Sequence, residues 1–153
     1  NQIQESYQND AMLWGVEKEP VARVAYETKT GLFVEEVGFI KHPTINWVGC
    51  SPDGLVDEGG LEIKCPNSQT HLQTINAKKA PAKYIPQIQM SMWVTNRAWW
   101  DFVSFDPRLP EELQYFCIRV PKDDEYINDM EQKVVQFLNE VDYEINNLRS
   151  RDA

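Results

Sequence analysis

In the stretch SPDGLVDEGGLEIKCP, residues 51–66, Asp53 stands nine positions before Glu62, and Lys64 follows two positions after Glu62. On a strand, alternate residues share a face, so Glu62 and Lys64 point the same way and Ile63 points into the opposite layer. A Pro-Asp-Gly turn just ahead can bring the Asp53 carboxylate beside that of Glu62. Two neighbouring carboxylates repel unless a proton or a cation separates them. A hard divalent cation with oxygen ligands resolves the conflict, and Mg²⁺ is the natural candidate, with the Ile63 carbonyl as a further oxygen. Lys64 beside such a cation can position a water or neutralise a phosphate. Metal, phosphate and ammonium together make a phosphodiester hydrolysis site. Taken singly, each piece is bland: Glu-x-Lys on a strand is most often a surface pair, and Pro-Asp-Gly is usually a turn. It is their combination that asks for chemistry.

The elements around this stretch must hold it in place. Residues 11–29 read as a helix, with Leu13, Val16, Val21, Val24 and Ala25 on one apolar face. Pro20 inside it predicts a kink or a restart, and Thr30-Gly31 a glycine C-cap. Residues 32–40 are β-branched and aromatic and predict a strand. Two short strands flank the Pro-Asp-Gly turn, and Gly59-Gly60 reads as the hairpin turn before LEIKC. Residues 68–80 are helical in part. Residues 82–96 predict a helix with Pro86 near its start and Ile85, Ile88, Met92 and Trp93 on its apolar side. Strands follow at 98–106 and 113–120, and a long amphipathic helix at 123–149, a cap on the core or an oligomer contact. The order α-β-β-β-α-β-β-α predicts an α/β fold with a mixed central β-sheet flanked by helices on both faces, in a single domain.

The 153 residues include 42% hydrophobic and 11% aromatic side chains, enough for a packed core. No apolar run reaches the roughly 18 residues of a membrane span, and no signal peptide is visible. Three cysteines without regular spacing (Cys50, Cys65 and Cys117) fit a reducing cytosol better than a disulfide framework. With only His42 and His71 and no CxxC pair, a zinc site is not expected. The net charge of −9 disfavours nucleic acid as a general partner. It does not decide the matter, because a groove that holds divalent metal is itself acidic.

The residues resemble a known family. GCSPDGL followed by GLEIKCP is similar to the PD-(D/E)xK nuclease signature in the form carried by the phage lambda exonuclease, or YqaJ-type viral recombinase, family. LWGVEKEPVARVAYE resembles that family's Trp-Gly helix with its internal glutamate, and YIPQIQMSMWVT its later glutamine-bearing helix. FDPR and EYI continue in order, so the likeness runs from about residue 11 to about residue 130. The resemblance implies a restriction-endonuclease-like core. It implies Asp53, Glu62, the Ile63 carbonyl and Glu19 as metal ligands, Lys64 as the catalytic lysine, and Gln87 at the attacking water or scissile region. It further implies a Mg²⁺-dependent deoxyribonuclease, with Mn²⁺ as a substitute. The family degrades 5′ ends of linear double-stranded DNA, leaves 3′ single strands for an annealing partner, and forms a trimeric ring in the cytoplasm of a bacterial host. An endonuclease of the same superfamily and a catalytically silent DNA-binding subunit are the alternatives. The family carries more chain ahead of the first helix, so a trimmed N-terminus is expected.

Other residues invite sharper readings than they bear. Lys78, Lys79 and Lys83 form a small basic patch suited to phosphate contact or simply to solvent. Some of the five tryptophans suit base stacking, although Trp93 and one of Trp99 and Trp100 are expected in the core. His71 is expected to be an exposed histidine without a role, and Cys65 to pack rather than react.

Overall fold

The computed structural model describes the backbone of residues 2–151 and the side chains of 10–151. The chain forms two compact units, residues 1–122 and residues 123–153. The first unit is built on a four-stranded sheet in the order β3-β4-β5-β6, namely Gly54–Val56, Gly59–Lys64, Trp99–Phe105 and Tyr115–Pro121. β4 runs parallel to β5, and the other two pairings are antiparallel. A separate two-stranded ribbon joins β1 (Ile40–Lys41) to β2 (Gly49–Cys50).

Helices cover both faces of the sheet. On one face Leu61, Ile63, Val103 and Phe105 pack with Ala22 and Tyr26 of α1, which spans Gln2–Thr30. On the other, Phe102 stacks with Tyr84 of a 3₁₀ turn (Ala82–Tyr84), and Ser104 bonds to His71 of α2 (Ser68–Ala77). The 3₁₀ turn leads directly into α3, Ile85–Thr95. The expected mixed sheet flanked by helices is therefore present.

Four local readings are corrected. α1 does not restart at Pro20 but continues as one helix, and the stripe expected to be buried is turned outward: Leu13, Val16, Val21 and Val24 are exposed. The buried face is formed by Ala22 and Tyr26, whose hydroxyl donates to Asp101 Oδ2 at 2.6 Å while Arg119 grips the same carboxylate through Nε and Nη2. Residues 32–40 form no continuous strand; Glu35 makes one bridge to Leu55, and only Ile40 enters a strand. The hairpin turn is Asp57-Glu58, with Asp57 at φ 46°. Gly59 and Gly60 lie inside β4, where a Cβ would stand 2.2 Å from the ring of Trp99 or Trp100. They are glycines because two indoles lie across the strand.

His71 is fully buried, not exposed, and both ring nitrogens are engaged, with Ser104 Oγ at 2.6 Å and the Leu113 carbonyl at 2.7 Å. Facing a carbonyl, Nε2–H must donate, while the Ser104 hydroxyl, both donor and acceptor, meets Nδ1. Trp100 is fully buried as expected, whereas Trp93 is half-buried with its ring 4.7 Å from that of His42.

The second unit is α4, Asp124–Arg151. Its first turn is acidic (Asp124, Glu125), its last basic (Arg149, Arg151), as the helix dipole favours. The Asp123 carboxylate accepts from the Tyr126 amide at 3.0 Å and caps the start.

Candidate functional site

β4 carries the site because its pairing changes halfway. β3 pairs with it only as far as Gly54 opposite Leu61, and one further bond runs from the Asp53 amide to the Leu61 carbonyl at 3.1 Å. Beyond that point no described strand pairs with β4 on this side. The Ile63 amide is met by a side chain instead, donating to Asp53 Oδ2 at 2.7 Å. Along a strand a residue's amide and carbonyl point to the same side, so the Ile63 carbonyl shares this edge with the Asp53 carboxylate.

Glu62 and Lys64 share a face, as period-two spacing requires, and are joined by an ion pair of 3.0 Å. Glu62 is 2% exposed, so its carboxylate sits where charge is costly. Around them opens a cleft of about 560 Å³, lined by Asp53, Glu62, Ile63, Lys64 and Cys65, by Glu19 and Met12 of α1, and by Tyr84 and Gln87 at the start of α3. Five of the side chains singled out in the sequence, together with Ile63, thus meet in one place. Lys78, Lys79 and Lys83 do not line it; all three are exposed, Lys78 as the left-handed C-cap of α2.

The electrostatics reflect crowding. Burial, the Glu19 carboxyl within hydrogen-bond reach and the charge of Glu62 push the Asp53 carboxyl from 3.8 up to about 8, against the Ile63 amide, which lowers it. Burial also raises Glu62, and Lys64 only partly offsets this. For Lys64 burial works against the charge, but Glu62, with Tyr84 and Asp53, outweighs it and the ammonium is held above its ordinary range. Burial, then Glu19 and Asp53, lift the Cys65 thiol to about 12, so it is no nucleophile. Glu19 also pairs with Arg23 at 3.3 Å, and Arg23 in turn donates to the Asp53 carbonyl at 3.2 Å.

Among the described residues no three His, Cys, Asp or Glu side chains are drawn into a closed metal cage. The donor set nevertheless fits a hard cation. Three carboxylates and a carbonyl edge face one cleft, and their mutual repulsion is the kind that a divalent ion relieves. Asp53 and Glu62 are held in place against that repulsion by an amide and by an ammonium respectively.

Comparison with known proteins decides the family. Residues 1–98 match the YqaJ-like viral recombinase domain. The chain belongs to this family. Solved structures of exonucleases resemble the chain as well. The alkaline exonuclease LHK-Exo from Laribacter hongkongensis, also solved in complex with dAMP, is 50% identical. The match covers 94% of this chain and 74% of that one, with a TM-score of 0.88. A phage-related exonuclease from Haemophilus somnus 129PT shares the fold at 16% identity and a TM-score of 0.60, over 86% of this chain and 73% of that one. The protein ExoD of Escherichia coli (strain K12) is 30% identical over 59 residues, 39% of this chain and 67% of that protein. The core is thus of the PD-(D/E)xK nuclease type, and a nuclease role follows for this YqaJ-like chain.

Tyr84 is the cleft residue that sequence reasoning missed. Its ring lies 4.9 Å from the ammonium of Lys64. Its place three residues before Gln87, at the start of a helix, was the available signal.

Proposed function

We propose that this chain is a Mg²⁺-dependent exonuclease that degrades the 5′ strand of linear double-stranded DNA and leaves 3′ single-stranded overhangs. The observation that carries this reading is the cleft itself, where Asp53, Glu62, Lys64, Glu19 and Gln87 converge at the free edge of β4. Asp53, Glu62, the Ile63 carbonyl and Glu19 would hold the metal, Mg²⁺ or in its place Mn²⁺. When bound, the metal would activate water and take up charge on the scissile phosphate. Lys64 presents its ammonium to the same phosphate or orients the attacking water through a hydrogen bond. Gln87, exposed at the cleft rim, offers an amide that can both donate and accept toward water or a phosphate oxygen. Lys78, Lys79 and Lys83 contact the DNA backbone without reading its sequence.

Membership in a viral recombinase family supports the wider setting: a phage or prophage product in a bacterial cytoplasm, a ring-shaped homotrimer on the duplex, and a single-strand annealing protein as partner. No helix among the described residues is long and apolar enough to cross a membrane.

Digestion of a duplex labelled at one 5′ end tests the activity, in Mg²⁺ and in chelator, beside a closed circular plasmid. The expected result is metal-dependent release of the 5′ label with the circle intact. A cut circle would assign an endonuclease, and no released nucleotide a silent DNA-binding subunit. Lys64→Ala should abolish release while DNA binding persists; activity equal to the native chain would remove Lys64 from the mechanism.

A further inference from the structure

We propose that Tyr84 is a positioning residue for Lys64, its aromatic face seating the ammonium inside the cleft. The inference rests on the assignment of Lys64 made above. The Lys64 Nζ lies 4.9 Å from the Tyr84 ring centroid and 3.0 Å from Glu62 Oε1, so the ammonium has two attractors, one anionic and one aromatic. The ring is itself anchored: it stacks on Phe102 with centroids 5.6 Å apart and planes 25° apart. Phe102 stands opposite Glu62 in the parallel β4–β5 register. The ring therefore rests on β5 beside the β4 residues that carry the carboxylate and the ammonium.

The two attractors differ in kind. Glu62 is also a proposed metal ligand, and a carboxylate that shares its charge with a cation holds an ammonium less strongly. The quadrupole of an aromatic ring is not altered in that way. The ring thus keeps Lys64 in place when Glu62 is engaged elsewhere. Lys83, exposed and also 4.9 Å from the Tyr84 centroid, brings a second ammonium to the same ring and links the cleft to the proposed DNA-contacting patch.

The test replaces Tyr84 with Phe, with phenylalanines carrying one, two or three ring fluorines, and with Leu. Fluorine drains electron density from the ring face at nearly constant shape, so the series isolates the attraction to a cation from packing. Tyr84→Phe serves as the reference of the series, and from it kcat should fall stepwise with fluorination to about tenfold, KM for the duplex unchanged. In chelator, NMR should show the Lys64 ε-methylene protons shifted upfield by the ring, the signal being identified by its loss in Lys64→Met. That shift should persist in Tyr84→Phe and vanish in Tyr84→Leu. A flat fluorine series, a native Lys64 shift in Tyr84→Leu, or a loss in Tyr84→Phe as large as in the trifluorinated ring would each overturn the proposal. Should Tyr84→Leu not fold, the isosteric series decides alone. A flat series with inactive Lys64→Ala removes only the role of the ring; retained activity in Lys64→Ala removes both readings.

Discussion

Asp53→Asn should make the metal-free protein more stable while removing its response to Mg²⁺. The native carboxyl is moved from 3.8 to about 8 by burial, Glu19 and Glu62. Carried through in full, that displacement is a ceiling of about 6 kcal/mol. Partial solvation and relaxation of the neighbours cut it to about 2 kcal/mol. Asparagine keeps an oxygen to accept from the Ile63 amide and gains an amide donor toward Glu19, so the exchange removes repulsion without orphaning a partner. The folded native chain keeps the Asp53 proton up to about pH 8, while the unfolded chain releases it near its ordinary value. Between the two the folded state binds more protons, and stability falls as pH rises. The variant lacks this slope. Thermal unfolding in chelator at pH 8 should show a Tm about 4–8 °C above native, with the gap narrowing as pH falls toward 5. Adding Mg²⁺ should raise the native Tm and leave that of the variant unchanged. An equal or lower Tm for the variant in chelator at pH 8 would refute the claim that crowded carboxylates strain this cleft.

Three further outcomes are expected. Gly60→Val brings a branched side chain to a position where even a Cβ would lie 2.2 Å from the Trp100 ring; overpacking of about 3 kcal/mol should appear as a lower denaturation midpoint with an unchanged m-value. Replacing Lys78, Lys79 and Lys83 together with Gln should weaken duplex binding for all sequences alike and flatten the log–log salt dependence by up to about 3; an unchanged slope, read by fluorescence anisotropy, would place the DNA elsewhere. Tyr26→Phe removes the 2.6 Å bond to Asp101 but leaves the Arg119 fork. It should cost about 1–2 kcal/mol in calorimetry without changing kcat.

The cleft is legible because period two is a strict rule. Once 61–65 is read as a strand, Glu62 and Lys64 must share a face, and the turn before it limits where Asp53 can go. The family likeness then names Glu19 and Gln87, which lie far off in sequence and which no local pattern could join to the rest. Helix α1 misleads because apolar residues are expected to face inward. Its buried face instead carries Ala22 and Tyr26, a small side chain and a phenol that reaches a buried carboxylate, and hydrophobicity alone does not reveal such a contact. Gly59-Gly60 reads as a turn because glycine is permissive in φ. Here it serves close approach, and the tryptophans responsible lie about forty residues away, at the register-matched start of β5. His71 gives no sign of burial because its two partners, Ser104 and Leu113, are contributed by distant segments.

Those two indoles have an effect at a distance. Gly59 and Gly60 are the only residues of β4 without side chains, so the strand fits beneath Trp99 and Trp100 in a single alignment. Slipping by one residue would drive Leu61 into an indole and would turn Glu62 and Lys64 to the opposite side of the sheet. The aromatic pair at one end of the strand works as a key at the far end: it fixes the rotational phase in which an acid and a base can meet a phosphate.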